Sequence, residues 1–285
     1  IIGESGSGKS VTALSVMGLV ASPPGAITGG TVSFQGRDML AAGYGHLRSV
    51  RGDRVAYIFQ DPLSTLHPLY RIGQQLVEAI QVHRRVSNAE ARARAIALLR
   101  DVRVPNAEAR IDAFPHELSG GMRQRVGIAM ALANEPDVII ADEPTTALDV
   151  TVQAQILALL DDLRRARGLA IIFITHDFGV VAQLCDRVAV MYAGRIVEEG
   201  PTEALLSAPA HPYTRRLIAC VPELGEGRRD LSAIPGLPPE LHALPAGCAF
   251  APRCDKAEEA CRTGEIALAG AGSRSVRCLL PEDTI

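Results

Sequence analysis

The chain has 285 residues, a formal net charge of −3, and 47% hydrophobic against 21% charged residues. This is a globular composition, long enough to bury a full core, and it excludes a disordered chain. The near-neutral balance leaves no electrostatic footprint for nucleic acid as a main partner. No apolar run approaches the ~18 residues that cross a bilayer.

The first element is a loop. Gly3-Glu4-Ser5-Gly6-Ser7-Gly8-Lys9-Ser10 fits the spacing G-x-x-x-x-G-K-[ST], with two apolar residues before it and a helical run after it. Glycines let successive backbone N–H groups face one anion, and the following helix adds its positive end. Gly3 to Val11 is therefore the expected cradle for nucleotide phosphates. Lys9 is expected to reach the β- and γ-phosphates and Ser10 to ligate Mg²⁺. The start is not expected to act as a signal peptide, since it lacks that layout and a phosphate loop begins at Gly3. The chain reads as cytosolic, with any membrane role carried by a partner.

Residues ~61 to ~134 read as a helical subdomain inserted into an α/β core. Ser87-Asn88-Ala89-Glu90 is a capping box opening a helix to about Val102, which Pro105 stops. Leu118–Arg125, "LSGGMRQR", is a Ser/Gly turn opening an Arg-rich helix, a second anion-binding helix start. One nucleotide does not need two such sites from one chain. Ser119, Gly120 and Gly121 are therefore expected to serve a nucleotide held by a second chain.

Val138–Ala141 and Ala170–Ile174 are continuous apolar runs separated by a helix from roughly Val152 to Arg167 that closes at Gly168. Such alternation predicts a mostly parallel sheet covered on both faces. Asp142, at the C-terminal end of a buried strand, fits the metal side of a nucleotide site. Glu143 is placed to polarise the attacking water. His176, ending the next strand, is expected near the γ-phosphate or that water. Arg187–Met191 and Arg195–Glu199 flank Ala193-Gly194 as a hairpin.

After about residue 205 prolines cluster and periodicity fades, which reads as a separate, loop-rich appendage. Four of the six cysteines lie here, at Cys248, Cys254, Cys261 and Cys278. Their spacing lacks the C-x2-C pairs of most zinc modules. It leaves open Zn²⁺, a [4Fe–4S] cluster or reduced structural thiols. Cys185 and Cys220 sit among apolar residues and read as packing.

The phosphate loop, Gln60 in "IFQDPLSTLHP", "LSGGMRQR", "VIIADEP", "ALD" at Ala147–Asp149 and His176 together resemble the ATP-binding cassette family, in order and spacing, over nearly the whole chain. The resemblance implies a P-loop NTPase core at residues 1–205 and a head-to-tail dimer that closes on ATP. It implies that Gln60 links Mg²⁺ and the attacking water to the helical subdomain. It also implies that Asp61 to about Ile80 faces the membrane partner and that Asp149 couples the two sites. With every visible catalytic element present, the chain's own ATP site is expected to be hydrolytically competent in the full-length protein. In that family an N-terminal β-subdomain precedes the loop and stacks an aromatic residue on adenine. The sequence therefore reads as truncated and, as given, as a poor nucleotide binder.

"AHPYTRRLIACVPE", "IPGLPP" and "GCAFAPRC" resemble the C-terminal extension of bacterial dipeptide, oligopeptide and nickel importer ATPases, here residues 206–285. That extension is associated with an iron–sulfur cluster, which the resemblance favours over zinc, as a staple for a segment too small for its own core. The resemblance implies a peripheral ATPase on the cytoplasmic side of the bacterial inner membrane, powering peptide uptake. Its partners would be a paralogous second ATPase, two permease subunits and, indirectly, an extracytoplasmic binding protein. The stretch Gly120–Leu157 looks like the first subunit of such a pair. Alternatives are another cargo such as nickel and, further off, a non-transport cassette ATPase.

Overall fold

The structure is a computed structural model. It describes residues 1–61, 65–146, 148–221 and 234–281. The chain forms two compact units, Ser10–Ile174 and a second made of Ile1–Lys9 with Thr175–Ile285.

In the first unit, β1 (Ser33–Phe34) and β2 (Arg37–Asp38) form a short antiparallel pair. β3 (Val55–Ile58), β4 (Val138–Asp142) and β5 (Ala170–Ile174) form a parallel sheet in the order β3-β4-β5. The parallel sheet is as the apolar runs predicted. Central β4 buries Ile139, Ile140 and Ala141 almost completely and carries Asp142 at its C-terminal end. β3 went unread in the sequence because four residues are too few for periodicity to separate strand from helix.

Between β3 and β4, the main helices are Ile72–Gln81, Asn88–Asp101 and Gly120–Ala131. No strand occurs among the described residues there. The capping box forms as read: Ser87 N–H donates to Glu90 Oε2 at 2.8 Å, and Glu90 N–H donates to Ser87 Oγ at 3.3 Å. Between β4 and β5 runs the helix Val150–Arg167. It starts two residues before the expected Val152 because the Asp149 carboxylate accepts from Val152 N–H at 2.9 Å and caps it. It ends as expected at Gly168, left-handed at φ 64°.

In the second unit, β6 (Arg187–Tyr192) and β7 (Arg195–Pro201) make the predicted hairpin. Ala193 and Gly194 both have positive φ, at 46° and 78°, the turn whose twist suits a two-residue hairpin. β8 (Ala269–Ala271) and β9 (Arg274–Val276) extend this antiparallel sheet in the order β6-β7-β9-β8. Ile2, fully buried, bridges Thr175 and Val190 in parallel. One core holds Ile2, Val190, Tyr192, Val197, Tyr213 and Phe250. The tail, read as a separate appendage, thus shares its core with β6 and β7. Tyr213, Phe250 and Val276 are buried at irregular spacing, which a period test does not register. Among the described residues no helix is long and apolar enough to cross a membrane.

Candidate nucleotide site

The phosphate loop is built on Ile2. Its N–H donates to Ala189 O at 2.9 Å, and its C=O accepts from Met191 N–H at 2.7 Å, which ties the loop's entry to β6. A Cβ at Gly3 would run into the Met191 carbonyl, so the first position must be glycine. Gly6 and Gly8 turn the chain at φ 78° and 98°. Ser7 accepts from Gly194 N–H at 2.9 Å. Glu4 N–H donates to the Tyr213 hydroxyl at 2.9 Å, and the Glu4 carboxylate takes both terminal nitrogens of Arg253, at 2.8 and 3.1 Å. Ser5 and Gly6 are exposed.

Two features of this loop bear on the expected polyanion. Ser7 Oγ is buried with no hydrogen-bond partner, an orphan that a phosphate oxygen would satisfy. Buried Lys9 folds its ammonium back onto the carbonyls of Gly3 and Glu4, at 2.9 and 3.1 Å, at the position where a phosphate would take it over. The helix Lys9–Val16 starts here, with Val11 exposed on its first turn. His176 is exposed, directly after the Thr175 that bridges Ile2, so it stands beside the start of the loop.

A second group of candidate residues lies within the unit Ser10–Ile174. Ser10 Oγ donates to Asp142 Oδ1 at 3.0 Å, and the Tyr57 hydroxyl donates to Asp142 Oδ2 at 2.9 Å. The two oxygens assigned to Mg²⁺ therefore already face each other, a pair that a hard divalent cation accepts. Burial and the neighbouring carboxylate push the Tyr57 phenol well above its ordinary range, so it stays a donor. Glu143 has a left-handed backbone, φ 43°, held by its N–H donating to Ile174 O at 3.0 Å. A non-glycine residue is kept in that region at a cost, and such outliers gather at working sites. Gln60 Nε2 and Thr146 Oγ1 both donate to Glu143 Oε2, at 3.2 and 2.9 Å.

Tyr57 and Thr146 were missed in the sequence. A tyrosine inside the aliphatic run Val55–Ile58 was the available sign, since a buried phenol needs a polar partner. Thr146, three residues after Glu143, carried no sign.

Ser119 caps the helix Gly120–Ala131, its Oγ accepting from Met122 N–H at 3.3 Å. Ser119 and Gly120 are exposed. At Gly121 a Cβ would lie 2.6 Å from Val152 Cγ1, so the helix start and the helix after Asp149 approach at glycine distance. Asp149 caps that second helix. Ala147, the first residue of "ALD", and residues 62–64, within the stretch after Gln60, lie outside the described residues.

Residues 1–146 match the family "ABC transporter", and residues 197–261 match "Oligopeptide/dipeptide transporter, C-terminal region". The chain is 53% identical over 263 residues to a probable peptide ABC transporter ATP-binding protein of Sinorhizobium fredii, covering 92% of this chain and 78% of that one. The chain belongs to the ABC transporter family. It is also 47% identical to a putative peptide import ATP-binding protein of Brucella abortus, over 98% of this chain and 83% of the relative. Among solved structures, the ATP-binding cassette MJ0796, a dimer in a post-hydrolysis state bound to ADP and Pi, superposes with a TM-score of 0.62 at 30% identity, covering 70% of this chain and 83% of that one. CbiO1 of Clostridium perfringens, part of an ABC transporter complex, gives 0.61 at 29% identity, covering 72% and 77%.

In this ABC transporter chain the C-terminal region is built around "HPYT". The His211 ring accepts from Tyr213 N–H at 3.0 Å and caps the helix Pro212–Ala219. Buried Glu198 accepts from the N–H groups of Ala210 and His211, at 2.8 and 2.9 Å, and from Arg274 at 3.1 Å. Cys248, Cys254, Cys261 and Cys278 line one small pocket with His211 and Phe250. Burial raises the thiols of Cys248 and Cys254, and burial with the three neighbouring cysteines pushes Cys278 up to about 11. Among the described residues no three His, Cys, Asp or Glu side chains meet closely enough to hold a metal ion. Cys185 and Cys220 are partly buried.

Proposed function

We propose that the chain is the ATP-hydrolysing subunit of a bacterial importer of di- and oligopeptides. The observation that carries the ATPase half is the Ser10–Asp142 pair at 3.0 Å. The cargo half is supported by the match of residues 197–261 to the oligopeptide/dipeptide transporter C-terminal region and by the relatives' names. Gly3, Glu4, Ser5, Gly6, Ser7, Gly8, Lys9, Ser10 and Val11 hold the phosphates. Mg²⁺, held by Ser10, Asp142 and Gln60, would neutralise charge on the β- and γ-phosphates. Glu143, fixed by Gln60 and Thr146, orients and polarises the attacking water, and His176 contacts the γ-phosphate.

In this reading Ser119, Gly120, Gly121 and Asp149 act in trans on a second, paralogous ATPase subunit. Two permease subunits carry the peptide, fed by an extracytoplasmic binding protein. The chain sits peripherally on the cytoplasmic side of the inner membrane. We divide it into a cassette, 1–205, with a helical subdomain at about 61–134, and an extension, 206–285. The extension's cysteines hold a [4Fe–4S] cluster. Support comes from the four thiols lining one pocket and from the resemblance of the extension, since four thiolates of one segment can hold such a cluster.

The test is uptake. Vesicles with the full-length subunit, its permeases and the binding protein should import labelled dipeptide or oligopeptide with ATP, and Glu143→Gln should abolish import. Nickel import without peptide import would replace the cargo assignment. Iron and sulfide analysis of the anaerobically purified protein tests the cluster: one zinc or no metal overturns it.

A further inference from the structure

The phosphate loop contains a carboxylate, Glu4, in the first of its variable positions. A polyphosphate ligand and a carboxylate in one partly desolvated loop repel each other. The structure shows what answers that charge. Arg253 grips the Glu4 carboxylate with both terminal nitrogens, and its own side chain is 4% exposed. Arg253 is itself locked. It donates to Pro235 O at 2.9 Å, Ile234 O at 3.3 Å and the Tyr192 hydroxyl at 3.2 Å. Such a fork is preorganised and loses little freedom on binding a carboxylate. The Glu4 N–H, meanwhile, donates to Tyr213, which is fully buried against Tyr192 and Phe250.

We propose that Arg253 and Tyr213 are positioning residues for nucleotide binding: they draw the Glu4 carboxylate and backbone into the core of the C-terminal region, so that the loop meets the phosphates with neutralised charge and fixed shape. The inference rests on the nucleotide-binding reading above. It assigns to the "HPYT" stretch and to the turn between Cys248 and Cys254 a duty toward the phosphate loop, independent of what the cysteines hold. Neither residue touches the nucleotide. Their effect is on affinity, before chemistry begins, and it runs through one charge and one backbone amide.

The experiment measures ADP affinity by calorimetric titration in the full-length protein, with and without Mg²⁺, beside KM and kcat for ATP. Arg253→Met should weaken ADP binding about tenfold and raise KM alike, with kcat within about twofold. In the Glu4→Gln background there is no charge to neutralise, and Arg253→Met should then change affinity less than about threefold. A loss of equal size in both backgrounds makes Arg253 a scaffold residue and overturns the inference. Should Arg253→Met fail to fold, Tyr213→Phe keeps the ring and removes the acceptor, and unchanged ADP affinity there also overturns it. Absence of ADP binding by the unaltered protein defeats the nucleotide reading itself, whereas normal binding with an insensitive Arg253 defeats the present inference alone.

Discussion

Tyr57 donates its phenolic hydrogen to Asp142 at 2.9 Å, from the neighbouring strand of the parallel sheet. The other carboxylate oxygen takes Ser10 at 3.0 Å. The phenol thus leaves one oxygen free to exchange Ser10 for a cation while the other stays anchored. Tyr57→Phe removes the anchor from a buried carboxylate. Stability should fall by about 1 kcal/mol, and the Mg²⁺ concentration giving half-maximal ATPase should rise several-fold. Unchanged Mg²⁺ dependence would deny Tyr57 any part in shaping the cation site.

Glu143 is the proposed water-polarising group. Glu143→Gln keeps the shape and the backbone bond to Ile174 O and removes the base. Turnover should fall by about 10²–10⁴-fold while ADP affinity stays within about threefold. Equal loss of binding and turnover would instead make Glu143 a part of the cradle.

Gly121 lies where a Cβ would come within 2.6 Å of Val152 Cγ1. Gly121→Ala should cost about 1–3 kcal/mol through overpacking, despite the better helix propensity of alanine. Val152→Ala opens the space, so the double variant should recover most of the loss in a denaturation series. Simple additivity would place the strain elsewhere.

His211 is buried, and burial lowers it to about 4 from an ordinary value of 6.5. The folded state therefore binds this proton less readily than the unfolded chain. Its stability is untouched above about pH 6.5 and falls as pH drops from there towards 4, by on the order of 3 kcal/mol for this group. Chemical denaturation from pH 7 to 4.5 should show that slope, and His211→Gln, less stable at neutral pH, should flatten it.

How much of this was legible in the sequence depends on range. Local patterns carried well: the Ser87–Glu90 box, the Gly168 stop and the Ala193-Gly194 turn are each written within a few residues and form as read. Apolar runs marked β4 and β5, but only β4 is buried along nearly its whole length, whereas β5 exposes Ala170 and Ile172 and buries Phe173 and Ile174. Motif spacing marked Ser10, Asp142 and Gln60, and the fold pairs Ser10 with Asp142 and Gln60 with Glu143. What stayed hidden was whatever joins residues far apart with no periodic trace. The Tyr57 bond to Asp142 depends on strand register. The packing of Tyr213 and Phe250 with β6 needs the fold itself.

The bond between Glu4 and Arg253 spans 249 positions of the chain. During synthesis the phosphate loop emerges 249 positions ahead of the arginine that finishes it. A nascent chain therefore carries the loop's sequence long before it carries the loop's completed electrostatics. Contacts of such separation form late, after the intervening chain has been ordered. On this topology a ribosome-bound chain that stops short of residue 253 should be a weak trap for nucleotide, and ATP should begin to stabilise the fold only once Arg253 has emerged and packed.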